Sequence, residues 1–261
     1  MNPSPPTARA REVVESLNMH LPLREGEVRI VEPRFALVLG RDPDPNLNVV
    51  QRLRIDAGDE SRTVDEVREL ARRHERRQLT WEVSSSATHA DLHARLLQLG
   101  MQPHTPDALA TCLILTRPLE APVPLDVEVR LVETAEDFAT AARVLAAGFG
   151  MPASAEGMFG TFEQHRAAPH LRRYLACIDG EPVGAADAVA LEVGMVLGGG
   201  ATLASARSRG VYRALLAARF RDAEKLSSPA LLTQASSMSR PILERLGFEK
   251  VAEVRILLDV F

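Results

Sequence analysis

The sequence has little cysteine, no net positive charge and no long apolar run, and each absence removes a class of protein. Its two cysteines, Cys112 and Cys177, lie far apart and form no CxxC pair. Neither a disulfide framework nor a zinc site is therefore expected, and the reading is a reducing, cytoplasmic setting. The formal net charge is -4, so no basic field offers itself to nucleic acid or to a membrane surface. No apolar run approaches the roughly 18 residues that a membrane span requires. The first residues, Met1-Asn2-Pro3-Ser4-Pro5-Pro6, are proline-rich and lack the apolar core of a leader. They read as a frayed tail, neither signal peptide nor anchor.

What is present is core material. The chain has 261 residues, 46% hydrophobic and 25% charged, a globular composition for one large or two modest domains. The clearest seam is Arg117–Pro124, where Pro118, Pro122 and Pro124 resist both helix and central strand. It divides the chain into a domain at 1–119, a linker at 120–126 and a domain at 127–261.

The C-terminal half reads as mixed α/β. Val127–Val132 alternates as a half-buried strand does, and Thr134 caps a helix from Ala135 to about Ala147, with Asp137 three residues on. A second short helix falls near Phe162–Arg166. Arg172–Ile178 and Pro182–Ala190 read as strands joined through Asp179-Gly180, a strong hairpin signal. Val193–Leu203 is a strand interrupted by Gly198-Gly199-Gly200, a pattern that marks a bulge or a close approach to the backbone. An amphipathic helix from Val211 to about Leu226, a strand at Ala230–Gln234, a short helix at Arg240–Leu246 ended by Gly247 and a strand at Glu253–Val260 complete it.

The N-terminal half repeats the punctuation more weakly. Arg34–Gly40, Leu47–Ile55, Leu79–Ser84 and Leu109–Thr116 read as strands, Thr63–Arg77 and His89–Leu99 as helices. Leu96-Leu97-Gln98-Leu99-Gly100-Met101 echoes Leu243-Glu244-Arg245-Leu246-Gly247-Phe248, which points to duplication. His89 and His93 stand at i and i+4, but Ala90 occupies the place of a zinc protease's glutamate and no third ligand is in view.

The most informative run is Ala201 to Leu216, a strand leading through an arginine- and glycine-containing turn into a helix. A helix start presents unsatisfied N–H groups and the positive end of its dipole, a ready site for phosphate. Gly210 lets the backbone come close, and Arg207, Arg209 and Arg213 supply charge-assisted bonds. By themselves the residues point to a phosphorylated anion at Arg207–Arg213, with a surface loop of scattered arginines as the alternative.

That run resembles the acetyl-CoA pyrophosphate loop of the GNAT superfamily, Q/R-x-x-G-x-G/A. Arg207 and Gly210 match, and Tyr212 departs where glycine or alanine is usual; either the loop shifts or the ring turns into the core. The order of elements from Val127 to Phe261 is similar to the family's, and Arg240–Glu249 looks like its "YekLGFe" segment. The resemblance implies a mixed-sheet α/β fold, the GNAT acyl-CoA N-acyltransferase fold, with two such domains in tandem.

It also implies roles. Acetyl-CoA would be held by Arg207, Ser208, Arg209, Gly210, Val211, Tyr212 and Arg213. Its pantetheine arm would pair with the backbone of Thr202 and Leu203, with Ala201 a further candidate, one N–H polarising the thioester carbonyl. Glu192 and Asp187 are the candidate bases for a small-molecule or peptide amine. The family's tyrosine acid is replaced by Leu243, which leaves Ser239 or Ser237, or water, to protonate the thiolate. Phe149, Met151, Met158, Phe159 and Phe162 are candidates for an acceptor pocket, with core packing the alternative. In the N-terminal half the matching turn, Asp56–Arg62, carries three acidic residues, Asp56, Asp59 and Glu60, which repel phosphate. That half is expected to lack a cofactor. The implied activity is an N-acetyltransferase; a non-catalytic acyl-CoA-binding protein and an interaction scaffold are the alternatives. No nucleic acid or membrane partner is expected, and a homodimer is admitted without being specified.

Overall fold

Residues 7–226 and 230–261 are described by the computed structural model; the Met1–Pro6 tail read from the sequence lies outside them. The first part of the chain forms α1 (Ala8–Glu15), α2 (Leu17–His20), β1 (Val28–Val31), β2 (Ala36–Leu39), β3 (Asn48–Gln51), α3 (Glu60–Arg73), β4 (Gln78–Ser84), α4 (Leu92–Gln98), β5 (Gln102–Pro103) and β6 (Leu109–Leu115). The rest forms β7 (Val127–Leu131), α5 (Ala135–Gly148), α6 (Phe162–Ala167), β8 (Leu171–Ile178), β9 (Glu181–Leu191), β10 (Gly194–Thr202), α7 (Val211–Lys225), β11 (Leu231–Ala235), α8 (Arg240–Arg245) and β12 (Glu249–Val260).

The elements gather into two compact units. The C-terminal unit takes Ile114–Thr233 and Arg245–Glu249; the N-terminal unit takes Thr7–Leu113, Gln234–Glu244 and Lys250–Phe261. Most of β12, which the sequence groups with 127–261, thus lies with the N-terminal unit.

In the C-terminal unit the strands run β11-β10-β9-β8-β7. All neighbours are antiparallel except β10 and β11, which are parallel. Local chemistry sets these elements. Asp179 and Gly180 take φ 52° and 81°, the left-handed pair that a tight hairpin needs, and Ile178 pairs with Glu181 across it. Thr134 caps α5 by accepting from the Asp137 N–H at 3.1 Å, and Thr161 with Gln164 forms a reciprocal capping box on α6. The α5 face of Phe138, Ala141 and Leu145 packs with Leu175, Cys177 and Ala185 of the sheet.

In the N-terminal unit the order is β1-β2-β3-β4-β12-β6. β12 lies antiparallel to β4, from Val254 opposite Ser84 to Val260 opposite Gln78. β3 and β4 are parallel, with Val49 opposite Thr80. The core gathers Phe35, Leu37, Trp81, Leu96 and Leu257. α1, α2 and β1 were not anticipated from the sequence. The helix expected from His89 begins at Leu92, so His89 and His93 do not share one helical face. Among the described residues no helix is long and apolar enough to cross a membrane.

Candidate functional site

The C-terminal unit carries the geometry that the arginine–glycine run predicts. Among the described residues β10 pairs with β11 at Met195–Leu231 and Val196–Leu232 alone. On its other edge it stays paired to β9 as far as Thr202 opposite Gly184. From Leu197 onward the β11-facing edge of β10 therefore opens as a wedge.

The Gly198-Gly199-Gly200 triplet is where the strand bends. Leu197 pairs with Ala188 and Gly200 with Ala186, three steps against two, which is a bulge. Each glycine has a neighbour at close quarters. A Cβ at Gly198 would stand 2.9 Å from the Asp187 Cβ, one at Gly199 3.2 Å from the Phe149 ring, and one at Gly200 3.3 Å from the Tyr212 ring. Tyr212 thus answers the alternative left by the sequence: its ring turns inward over Gly200, beside the buried Arg219.

Backbone groups of successive strand residues face opposite edges. The Leu203 N–H is donated to the Val183 carbonyl at 2.9 Å, and its carbonyl accepts from Ala206 at 2.9 Å. Leu203 therefore has neither group to spare for pairing with a pantetheine arm. Ala201 shares its edge, leaving the backbone of Gly200 and Thr202 facing the wedge. The Thr202 Oγ1 is buried without a hydrogen-bond partner.

The loop then delivers α7. Ser208 and Gly210 take φ 64° and 80°, and Gly210 is the N-cap. Val211 opens the helix, and the first-turn N–H groups have no intrahelical acceptor. Arg207 and Arg209 are exposed and Arg213 half-buried. Arg209 pairs with Asp126 at 3.0 Å, while the buried Arg213 Nε has no hydrogen-bond partner. A Cβ at Gly210 would lie 2.4 Å from Pro124 Cγ, so the proline segment packs directly on the loop.

The acceptor-side residues scatter. Asp187 faces Arg173 across the β8–β9 register. The pair is bidentate, Nε to Oδ1 at 2.7 Å and Nη2 to Oδ2 at 2.8 Å. Arg173 is 5% exposed and stacks over the Phe138 ring at 4.4 Å. Glu192 lies in the β9–β10 turn, roughly 20 Å from the bulge by strand rise, out of direct reach of a reaction there. Ser239 belongs to the N-terminal unit, where its carbonyl accepts from Ile242 and Leu243 at 3.1 Å at the start of α8; Ser237 donates to Asp107 at 3.0 Å in the same unit. Leu243 is buried. Tyr174 is buried and donates to Asp222 at 2.8 Å; burial, then that bond, pushes its phenol well above the usual range. Of the aromatic candidates, Phe149 and Met158 are exposed, while Phe159 and Phe162 pack against the α5 core.

Two functional candidates escaped sequence reading. Arg173 sits in a strand that reads as apolar, and only the register brings it to Asp187. Arg219 is 1% exposed on α7; its Nη1 donates to the Asp187 carbonyl at 3.3 Å and its Nε to Leu215 at 3.1 Å, and burial lowers its pKa. Its signal was an arginine four residues after Leu215 on the apolar face.

The N-terminal unit shows the opposite arrangement at its own helix start. Glu60 opens α3, and its Oε2 accepts from the Gly58 N–H at 2.7 Å. Backbone hydrogen bonds at Glu60 itself and at Gly58 hold the carboxyl below its usual range. His89 Nε2 stands 3.4 Å from the other oxygen. A carboxylate, not a cation, thus stands at this helix start.

No family model and no curated protein matches the sequence. Solved structures do. A GCN5-related N-acetyltransferase from Kribbella flavida aligns at TM-score 0.72 and 19% identity, covering 96% of this chain and 95% of that one. One from Sphaerobacter thermophilus aligns at TM-score 0.65 and 17% identity, over 91% of this chain and 84% of that one. A tandem GNAT protein from the clavulanic acid biosynthesis pathway, solved without AcCoA, aligns at TM-score 0.63 and 18% identity, over 98% and 89%. With the wedge and the α7 loop in place and these likenesses running nearly end to end, the chain has the fold of the GNAT N-acetyltransferases.

Proposed function

We propose that the C-terminal unit is an N-acetyltransferase that uses acetyl-CoA and acylates an amine. The observation that carries this reading is the open β10 edge leading into the Gly210-capped start of α7. The residues fit the group: Thr202 Oγ1 and Arg213 Nε are buried and unpartnered, and the first-turn N–H groups of α7 suit a pyrophosphate. Arg207 and Arg213 add charge to that end. When bound, acetyl-CoA supplies a thioester activated for acyl transfer.

The chain's own groups do the rest. The Thr202 N–H, on the open edge, polarises a carbonyl laid along β10. Asp187, fixed by Arg173 beside the bulge, draws a cationic amine in and passes its proton to water. As the amine nitrogen bonded to the acetyl carbon the carbon–sulfur bond would break, and the second proton shed by the nitrogen would pass through solvent to the leaving thiolate.

Calorimetry with acetyl-CoA tests this. Wild type should bind, and Arg207→Glu should weaken binding at least tenfold, about 1.4 kcal/mol, with an unchanged unfolding midpoint. No affinity at millimolar acetyl-CoA would sink the reading.

One observation favours a non-catalytic acyl-CoA-binding protein: Leu243 is buried where the family's tyrosine is expected, and Tyr174 is bonded to Asp222. Release of free CoA thiol on offering an amine panel separates the two.

A further inference from the structure

The N-terminal unit contains a cavity of about 290 Å³, lined in part by Asn18, Asn46, Thr80, Glu82, His104 and Asp107. All six belong to that unit. Thr80 and Glu82 stand two apart on β4 and so share one face of the sheet. β4 is a central strand, between β3 and β12, where an apolar pair is the ordinary choice.

Both side chains are more than nine-tenths buried, at 4% and 8% exposure. Yet Thr80 Oγ1 and Glu82 Oε2 have no hydrogen-bond partner. Buried polar groups in folded proteins are almost always paired, and these two face a cavity. The carboxyl also hydrogen-bonds Gln234, but burial outweighs that bond and pushes it up to about 7. It therefore stands at the edge of ionisation near neutrality.

The lining decides the ligand. Carboxyls at Glu82 and Asp107 and amide oxygens at Asn18 and Asn46 are acceptors, and neither lysine nor arginine lines the cavity. Of its lining groups only His104 can carry positive charge. Asp107 is already oriented, accepting from Ser237 at 3.0 Å. Asn46 is exposed and His104 and Asp107 are half-buried, so the cavity opens to solvent.

We propose that this cavity is a ligand site for a small organic ammonium compound, whose N–H donors meet Glu82 Oε2 and Thr80 Oγ1. The site belongs to the unit whose α3 begins at Glu60. It stands independently of acetyl-CoA binding in the C-terminal unit.

The probe is putrescine, titrated calorimetrically into the full chain near neutral pH. Wild type should bind it. Glu82→Gln, which keeps the shape and removes the charge, should weaken binding at least tenfold without lowering the unfolding midpoint. Thr80→Val should weaken it less, and Arg207→Glu should bind as wild type does. Binding should release protons, read as a dependence of the heat on the buffer's ionisation enthalpy. Glu82→Gln should abolish that release. No heat with wild type, or equal affinity in Glu82→Gln, overturns the proposal. Loss of binding in Arg207→Glu alone also overturns it, placing the diamine in the C-terminal unit. Neither result bears on whether acetyl-CoA binds.

Discussion

Arg68 on α3 grips Asp259 on β12 through two hydrogen bonds, Nε to Oδ2 at 3.1 Å and Nη2 to Oδ1 at 2.6 Å. The Asp259 side chain is 1% exposed and that of Arg68 19%. The pair ties the last strand to a helix nearly two hundred residues earlier, and Phe261 adds a ring beneath the guanidiniums of Arg68 and Arg72.

Removing one partner leaves the other charged and poorly solvated, so Asp259→Leu should cost on the order of 3 kcal/mol. The double variant Arg68→Met, Asp259→Leu should recover most of that, because two apolar side chains need no counter-charge. Urea unfolding of the four proteins of the cycle measures both. Equal losses in the single and double variants would refute the coupling.

Glu82 should make the protein less stable as pH rises. Its carboxyl goes from an ordinary 4.5 when unfolded to about 7 when folded, so the folded state holds the proton more tightly between those values. Stability is therefore full below the lower value and falls through that window, by no more than roughly 3 kcal/mol. Glu82→Gln should unfold at a higher temperature than wild type in alkaline buffer and gain little in acid. A gain that does not vary with pH would contradict the assignment.

Gly210→Ala should destabilise by roughly 2 to 3 kcal/mol, combining a left-handed backbone with a steric clash. The backbone part follows from φ 80° and the clash from Pro124 Cγ, 2.4 Å from the new Cβ. In a Pro124→Gly background the same change should cost only about 1 kcal/mol. Chemical denaturation of the set separates the two contributions.

Tyr174→Phe removes the 2.8 Å bond to Asp222 and should cost about 1 kcal/mol. Asp222 keeps Lys225 at 2.9 Å, which limits the loss. In an absorbance titration the Tyr174 phenol should ionise only as the protein unfolds in alkali; ionisation in the native state at the ordinary tyrosine pH would count against its burial.

Where information is local, the sequence carried it. Asp179-Gly180 marks a hairpin because a left-handed pair closes so tight a turn, and the glycine triplet marks a bulge where Asp187, Phe149 and Tyr212 come close to the backbone. The α7 loop was legible for the same reason: charge, glycine and helix start are contiguous. What stayed hidden depends on register or on long-range pairing. Arg173 and Asp187 meet only because β8 and β9 align in one register. Ser239 lies in the N-terminal unit because the chain leaves its neighbours after Thr233, and nothing near residue 239 announces it. Glu192 falls in the turn between Leu191 of β9 and Gly194 of β10, at the far end of the strand from the bulge.

The crossing of β12 orders events in time. As the chain is made, Thr7–Leu113 emerges before Ile114–Thr233, and the strand that lies against β4 follows both. The whole of Ile114–Thr233 must leave the ribosome in between. That later stretch has its five sheet strands nearly contiguous and can collapse on its own. The earlier one waits with one edge of β4 unpaired, an edge of the kind that recruits foreign strands. The N-terminal unit therefore completes its sheet only after the stretch that follows it has been made.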